Sequence, residues 1–433
     1  MFVARSARRI RLARAAFLLG GLLPCAVLAT WAVHRQSAAH REAIRGRWEQ
    51  AVGLPISVAA IEHPLPGAVR ARGCAMAAAH GGAVLAAERV DVVSTPTEVR
   101  VGIATLECDP PGAAALAALA GEWLERGARF RRDVVVDVAE FSWLVVGRDG
   151  RPERRPLGAI RIECVAKEGG RAVRIVRRDA DDGADEVRIV RAATEGDANG
   201  PGRLDLEAML SEPVPMAILA AVVAEDGPLR RLSLGSAALV SGRLTAARAG
   251  GGWSGTATGR IVGVDLAACT AGLPAGASGC MDLDVAGLAW RDGRLESADV
   301  VCAAAGGRVD RRLLESLVAT VGCRPGPAYG EALADREFGF EAFGCRMCID
   351  GRGIGLSGVN GHGGSLAHVD GRSLLDPPAN AVPIERLVWL LAAPDAVYVP
   401  SSGAGAWLMS WLPGGGGSVG RTSRAESSAS GGF

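Results

Sequence analysis

Three kinds of hydrophobic spacing succeed one another along the chain. The first is an unbroken run: residues 15–33 contain no charged side chain. Nineteen residues of helix extend about 28 Å at ~1.5 Å each, close to the ~30 Å hydrocarbon core of a bilayer. The second is helical. In residues 37–52, Ala43, Trp48 and Val52 recur among polar neighbours until Gly53 and Pro55 stop the helix. The third, which governs most of the remaining chain, is the alternation of apolar and polar residues that marks a half-buried β-strand.

Alternation begins with Ile56, Val58 and Ala60, and turns through residues 64–67 into a second strand over 68–75. Strands over 84–93 and 99–108 come next, then an amphipathic helix over 110–127 with Leu116, Leu119, Trp123 and Leu124 on its apolar face. The clearest stretch lies beyond it, with strands predicted over 134–146, 160–166, 172–178, 186–192 and 204–208. Ile160, Ile162 and Cys164 point one way while Arg161 and Glu163 point the other. Short turns between such strands predict an antiparallel meander with one apolar face. An apolar helix is expected over 213–224, closed by Asp226-Gly227-Pro228.

A second strand series covers 239–247, 256–264, 279–290 and 295–303, with Gly242-Arg243-Leu244 and Gly293-Arg294-Leu295 as a weak internal echo. A helix over 313–321, strands over 337–344, 345–350, 353–359 and 365–369, and helices over 384–391 and 406–412 complete the pattern. The fold class predicted is mainly β with a few helices: an N-terminal transmembrane helix, then antiparallel meander sheets with short apolar helices at the ends. The corresponding domains are an arginine-rich leader (1–14), the anchor (15–33), two β-rich modules (34–212 and 213–412) and a disordered Gly/Ser tail (413–433).

Charge orients the anchor. Arg5, Arg8, Arg9, Arg11 and Arg14 precede it and only Arg35 and Arg41 come closely after, so the positive-inside bias leaves the N-terminus in the cytoplasm. The body is then expected outside the cytoplasm, held by a single pass. A cleaved signal peptide is the competing reading, with 15–23 as its apolar region, Pro24 as a breaker and Val27-Leu28-Ala29 as the cleavage site. Pro24 beside Cys25 is a poor fit to lipidation. Over the whole chain 48 basic and 47 acidic residues give a net charge of +1, and beyond the leader they interleave, which excludes a nucleic-acid surface.

No chemical motif gives an enzyme or a cofactor. The ten cysteines allow disulfides in an exported body, but with Cys25 in the anchor the remaining number is odd and spacing does not assign pairs. Cys345, Cys348, His362 and His368 have zinc-like spacing. Glycines flank His362, however, and cysteines three apart on a strand face opposite sides. Strand cysteines and loop histidines are the preferred reading. Neither a nucleophile elbow nor a phosphate loop occurs.

The anchor, the Trp-containing helix, Gly53-Leu54-Pro55-Ile56 leading into a strand, and Pro66-Gly67 before alternating residues together resemble the AsmA-like family of bacterial envelope proteins. Asp282-Leu283-Asp284-Val285, Trp290-Arg291-Asp292-Gly293-Arg294-Leu295 and the helix after Gly306-Gly307-Arg308 are similar to that family's strand–turn–strand–helix units. The resemblance implies a repeating β-groove whose apolar inner face binds or carries lipid, though with too few strands to bridge two membranes. Ile160, Ile162, Val173, Ile175, Val187 and Ile189 are the groove candidates; an ordinary core packed on the 213–224 helix would use the same residues. The partners expected are the membrane, phospholipid and other envelope proteins. A structural or scaffolding protein that binds through exposed strand edges is the alternative.

Overall fold

The computed structural model describes residues 7–52, 55–65, 67–77, 83–125, 132–147, 149–167, 170–178, 185–192, 202–222, 234–249, 252–271, 275–359, 364–386 and 412. The protein is mainly β, with short helices and one long apolar helix near its N-terminus. Packing divides it into two compact units, Met1–Leu144 with Arg155–Arg161, and Val145–Arg154 with Ile162–Phe433. The tail over 413–433 and most of the helices expected over 384–391 and 406–412 lie outside the described residues.

In the first unit, α1 (Ala7–Phe17) and α2 (Leu23–Gln36) are joined by a π-turn over Leu18–Leu22. Pro24 has no N–H for the Gly20 carbonyl, and the backbone accommodates this by widening, the Leu23 N–H reaching back to the Leu18 carbonyl. The helical span Arg14–Gln36 has 23 residues and a mean hydropathy of 2.0, and none of its apolar window is buried. It is long and apolar enough to cross a membrane. Ser37, extended at ψ 151°, ends α2, and its hydroxyl accepts from the His40 N–H at 3.2 Å to begin α3 (Ala38–Val52).

Strands β1 (Ile56–Glu62), β2 (Ala68–Ala77), β3 (Ala83–Ser94) and β4 (Glu98–Cys108) pair antiparallel in chain order. Helix α4 (Pro110–Glu125) buries Trp123 and Leu124 and carries the chain back, so that β5 (Asp133–Val146) lies parallel to β4, from Glu98 opposite Asp133 to Cys108 opposite Trp143. Alternation alone predicts an antiparallel meander. The helical crossover is what permits the parallel pair.

Strand β6 (Pro152–Lys167) gives its middle, Arg155–Arg161, to the first unit and both its ends to the second. In the second unit β7 (Gly170–Arg177), β8 (Asp185–Ala192), β9 (Leu204–Pro215), β10 (Leu239–Ala249), β11 (Gly252–Asp265), β12 (Ala277–Arg291) and β13 (Arg294–Asp310) pair antiparallel in succession. Beyond them come α5 (Met216–Val222), which succeeds β9, α6 (Leu266–Thr270), α7 (Arg311–Ser316) with a π-turn at Leu317–Val321, β14 (Arg324–Pro325), α8 (Tyr329–Ala332) and β15 (Glu337–Phe340). One end of β13 pairs with β15 and the rest with β16 (Ala342–Asp350). Next to β16 runs β17 (Gly353–Gly358), and β18 (Ala367–Val369) with β19 (Arg372–Asp376) closes the chain's described sheet.

The helix expected over 213–224 is shorter. Strand β9 continues to Pro215 because Val214 pairs with Val240 of β10, and the helix starts only at Met216. The β9 strand therefore runs through positions 212 and 213, where the sequence suggests a boundary, and packing divides the chain instead around Leu144 and Arg161.

Between β10 and β11, Gly242 and Gly259 stand directly opposite one another at φ 143° and 156°. A Cβ at Gly242 would collide with the Thr258 carbonyl, and one at Gly259 with that of Ser241. Two glycines let the strands close at this bend. The main core of the unit gathers at β13 and β16, where Leu374, Leu375 and Ile354 are fully enclosed beside Leu314, Val321 and Ala332.

Candidate functional site

The cross-strand register joins the alternating residues into a continuous surface. Ile175 stands opposite Val187, Val187 opposite Ala208, and Ala208 opposite Leu244. From Leu244 the row continues through Ala257, Leu288, Ala298, Ile349 and Ile354. Directly opposed residues share a face of the sheet, so every strand from β7 to β13, then β16 and β17, contributes an apolar side chain to one row. A second row runs beside it: Val173, Ile189, Leu206 and Ala246.

One residue over, the face is polar. Arg174, Arg188, Glu207, Thr245 and Thr256 stand opposite one another in turn. Arg174 bridges Glu186 at 2.7 Å and Glu163 at 3.8 Å. Its hydrogen bond holds the Glu186 carboxyl below the usual range against a partial loss of hydration. These pairs keep the ends of long side chains in water and leave the opposite face to aliphatic groups.

Burial along the first row is graded, Ala208 apart, whereas in the second row Val173 and Ala246 are buried. Ala298, Ile349 and Ile354 are enclosed, because α7, its π-turn and α8 bring Leu314, Val321 and Ala332 into the same core. Toward β7, Ile175, Val187, Leu244, Ala257 and Leu288 are only half-buried. Six strands, β7 to β12, at ~4.8 Å spacing make that half-covered surface about 24 Å wide.

Of the six residues that alternation singles out, Val173, Ile175, Val187 and Ile189 are cross-strand neighbours on this face. Ile162 shares it, because Glu163 on the other side of β6 reaches Arg174 on the polar face. Ile160 lies two residues earlier on the same strand, is buried, and belongs to the first compact unit. The continuation through β10 to β17 is not readable in the sequence, since alternation orients a side chain without naming its cross-strand partner.

A shallow open depression of about 540 Å³ lies on the polar side, lined by Arg188, Asp205, Glu207, Thr245 and Ser254 among others. Its charges are balanced locally, with Arg203 2.8 Å from Asp205.

The zinc-like quartet is not assembled among the described residues. Cys345 is buried opposite Cys302, whereas Cys348 is exposed on the other face of β16, opposite Asp299. The Cys348 thiol donates to Asp299 Oδ1 at 3.6 Å. His368 is buried against the Ser365 hydroxyl, 2.7 Å away, and His362 lies outside the described residues. Among the described residues no group of three or more His, Cys, Asp or Glu side chains is arranged to hold a metal ion.

A histidine cluster that the sequence does not signal lies in the first unit. His40 Nε2 and His63 Nε2 are 3.1 Å apart, and the His34 ring centroid lies 5.5 Å from that of His40. The three come from α2, α3 and the turn after β1, separations at which spacing carries no information.

No family model, curated protein or solved structure matches this chain.

Proposed function

We propose that this chain is an AsmA-like, single-pass protein of the inner membrane whose β body faces the periplasm and binds lipid acyl chains along the apolar face of β7 to β12. The observation that carries this reading is the unbroken cross-strand row from Ile175 to Leu288, in which Ala208 is buried but Ile175, Val187, Leu244, Ala257 and Leu288 are only half-buried. An acyl chain laid on such a face completes the burial of the aliphatic side chains and its own, at about 0.8 kcal/mol for each methylene removed from water. The process is passive, and no chemical step is required of the protein. The polar face, with its Arg174–Glu186 and Arg260–Asp282 pairs, stays in water. The unburied helix Arg14–Gln36, preceded by arginines, supports the tether and its orientation.

The test is native mass spectrometry of the full chain released from membranes in mild detergent. Bound phospholipid is expected on the wild type and on a Thr256→Asp control, which alters the polar face, and is expected to be lost from Ile175→Asp. Equal lipid retention by Ile175→Asp and wild type would refute the reading.

A further inference from the structure

We infer that Cys302 and Cys345 are disulfide partners, a covalent staple between β13 and β16 that closes the buried end of the apolar face. The two residues are directly opposite in an antiparallel ladder. Opposed positions in such a ladder hold their Cα atoms about 4.5–5.5 Å apart, inside the ~4.4–6.8 Å range that disulfides adopt. Their side chains share a face of the sheet, and both lie in the same hydrophobic core.

The thiolate is the nucleophile of disulfide chemistry. With an external disulfide RS–SR as oxidant, the thiolate of one of the two cysteines attacks one of its sulfurs and releases RS⁻. The other cysteine then gives up its proton and attacks the protein sulfur of that mixed disulfide, releasing the second RS⁻. Two cysteine thiols are oxidised and one RS–SR is reduced to two RSH. Only 9% of Cys302 and 8% of Cys345 is exposed, so the exchange belongs to folding, before the core closes, and the finished bond is shielded from reductants.

The other cysteines do not compete on geometry. Cys74 faces Val58 and Ala87, Cys280 faces Asp265, and Cys348 faces Asp299 and Gly355. The nearest rival is Cys323, buried just past the π-turn at the end of α7, whose thiol is pushed up to about 11 by burial. It is close enough to act on Cys345 electrostatically but stands in no cross-strand register with it. The segment enclosed by the link holds α7, α8, β14 and β15, the pieces that cover the C-terminal end of the apolar rows. The pairing rests on the proposed placement of the body in the periplasm, where disulfides persist, and is independent of lipid binding.

The experiment is refolding of the purified, reduced full chain in detergent with oxidised and reduced glutathione, then alkylation of free thiols, trypsin digestion without reductant, and mass spectrometry. Arginines isolate Cys302, Cys323 and Cys345 on separate tryptic peptides, 295–308, 313–336 (trypsin does not cut between Arg324 and Pro325) and 337–346, so each link has its own mass. The expected product joins 295–308 to 337–346, persists in Cys323→Ala and disappears in Cys302→Ser. Alkylated Cys302 and Cys345 in the refolded wild type, or a 313–336 to 337–346 link in its place, would overturn the assignment. Because wild type and Cys323→Ala suffice for that decision, poor folding of Cys302→Ser leaves the test intact.

Discussion

Arg177 and Asp185 form an ion pair at 3.1 Å with side chains only 15% and 10% exposed. Asp185 also accepts from the backbone N–H groups of Ser211 and Glu212 on β9. A single carboxylate at the start of β8 thus ties together the three strands that begin the apolar rows. Enclosed charges are tolerated when their partners are complete and are costly when one is removed. Arg177→Ala is expected to destabilise the chain by about 3 kcal/mol, read as a lower urea midpoint. An unchanged midpoint would show that the pair is hydrated and replaceable.

The glycine bend makes a contrasting prediction. Gly242→Ala forces a side chain into φ 143° and against the Thr258 carbonyl, so a loss of at least about 1–3 kcal/mol is expected from backbone strain. Gly287→Ala on β12 meets nothing within 4 Å and is expected to leave the midpoint close to that of the wild type. Equal effects of the two changes would contradict the bend.

Leu374 is completely enclosed in the core at the closed end of the sheet. Its replacement by alanine is expected to cost about 2–5 kcal/mol, the transfer of the lost groups plus the cavity left behind. Denaturant unfolding measures it. A loss below about 1 kcal/mol would mean that the surrounding side chains collapse into the space.

The histidine cluster gives the body a pH dependence. The His40 and His63 imidazoles both lie below the ordinary value of 6.5, first because of partial burial. For His40 the neighbouring His63, His34, Arg35 and Arg47 add repulsion, and for His63 Arg35 does so, partly offset by a hydrogen bond with the Ala68 backbone. The unfolded chain therefore binds more protons in the interval below 6.5, so stability from these residues is present above it and declines as pH falls toward the folded values. Histidine NMR titration is expected to give a His40 midpoint below 6.5, and a His40→Asn chain should unfold with a shallower pH slope over that interval. A His40 midpoint at or above 6.5 contradicts the arrangement.

What the sequence discloses depends on range. The long apolar helix, α4 and the strands around Ile162 and Val173 are legible because each is a local pattern in one segment. Strand β9 reads short from its own residues: the prolines at 213 and 215 look like a helix start, and only pairing with β10 extends the strand through them. The apolar rows themselves are half legible. The side of each strand that Ile175, Val187 and Leu244 occupy comes from alternation, but their alignment depends on register. The same limit hides Cys302 and Cys345, whose meeting across β13 and β16 requires the turns and helices between them to be in place.

The most direct test of lipid binding is photocrosslinking of the full chain in phospholipid vesicles carrying a diazirine on the acyl chain, with adducts mapped by peptide mass spectrometry. Adducts are predicted on peptides bearing Ile175, Val187, Leu244 and Leu288 in addition to the Arg14–Gln36 helix. They should be lost from those body peptides when Val187 is replaced by aspartate. Adducts confined to the anchor, with none on the β body, would contradict a lipid-binding face.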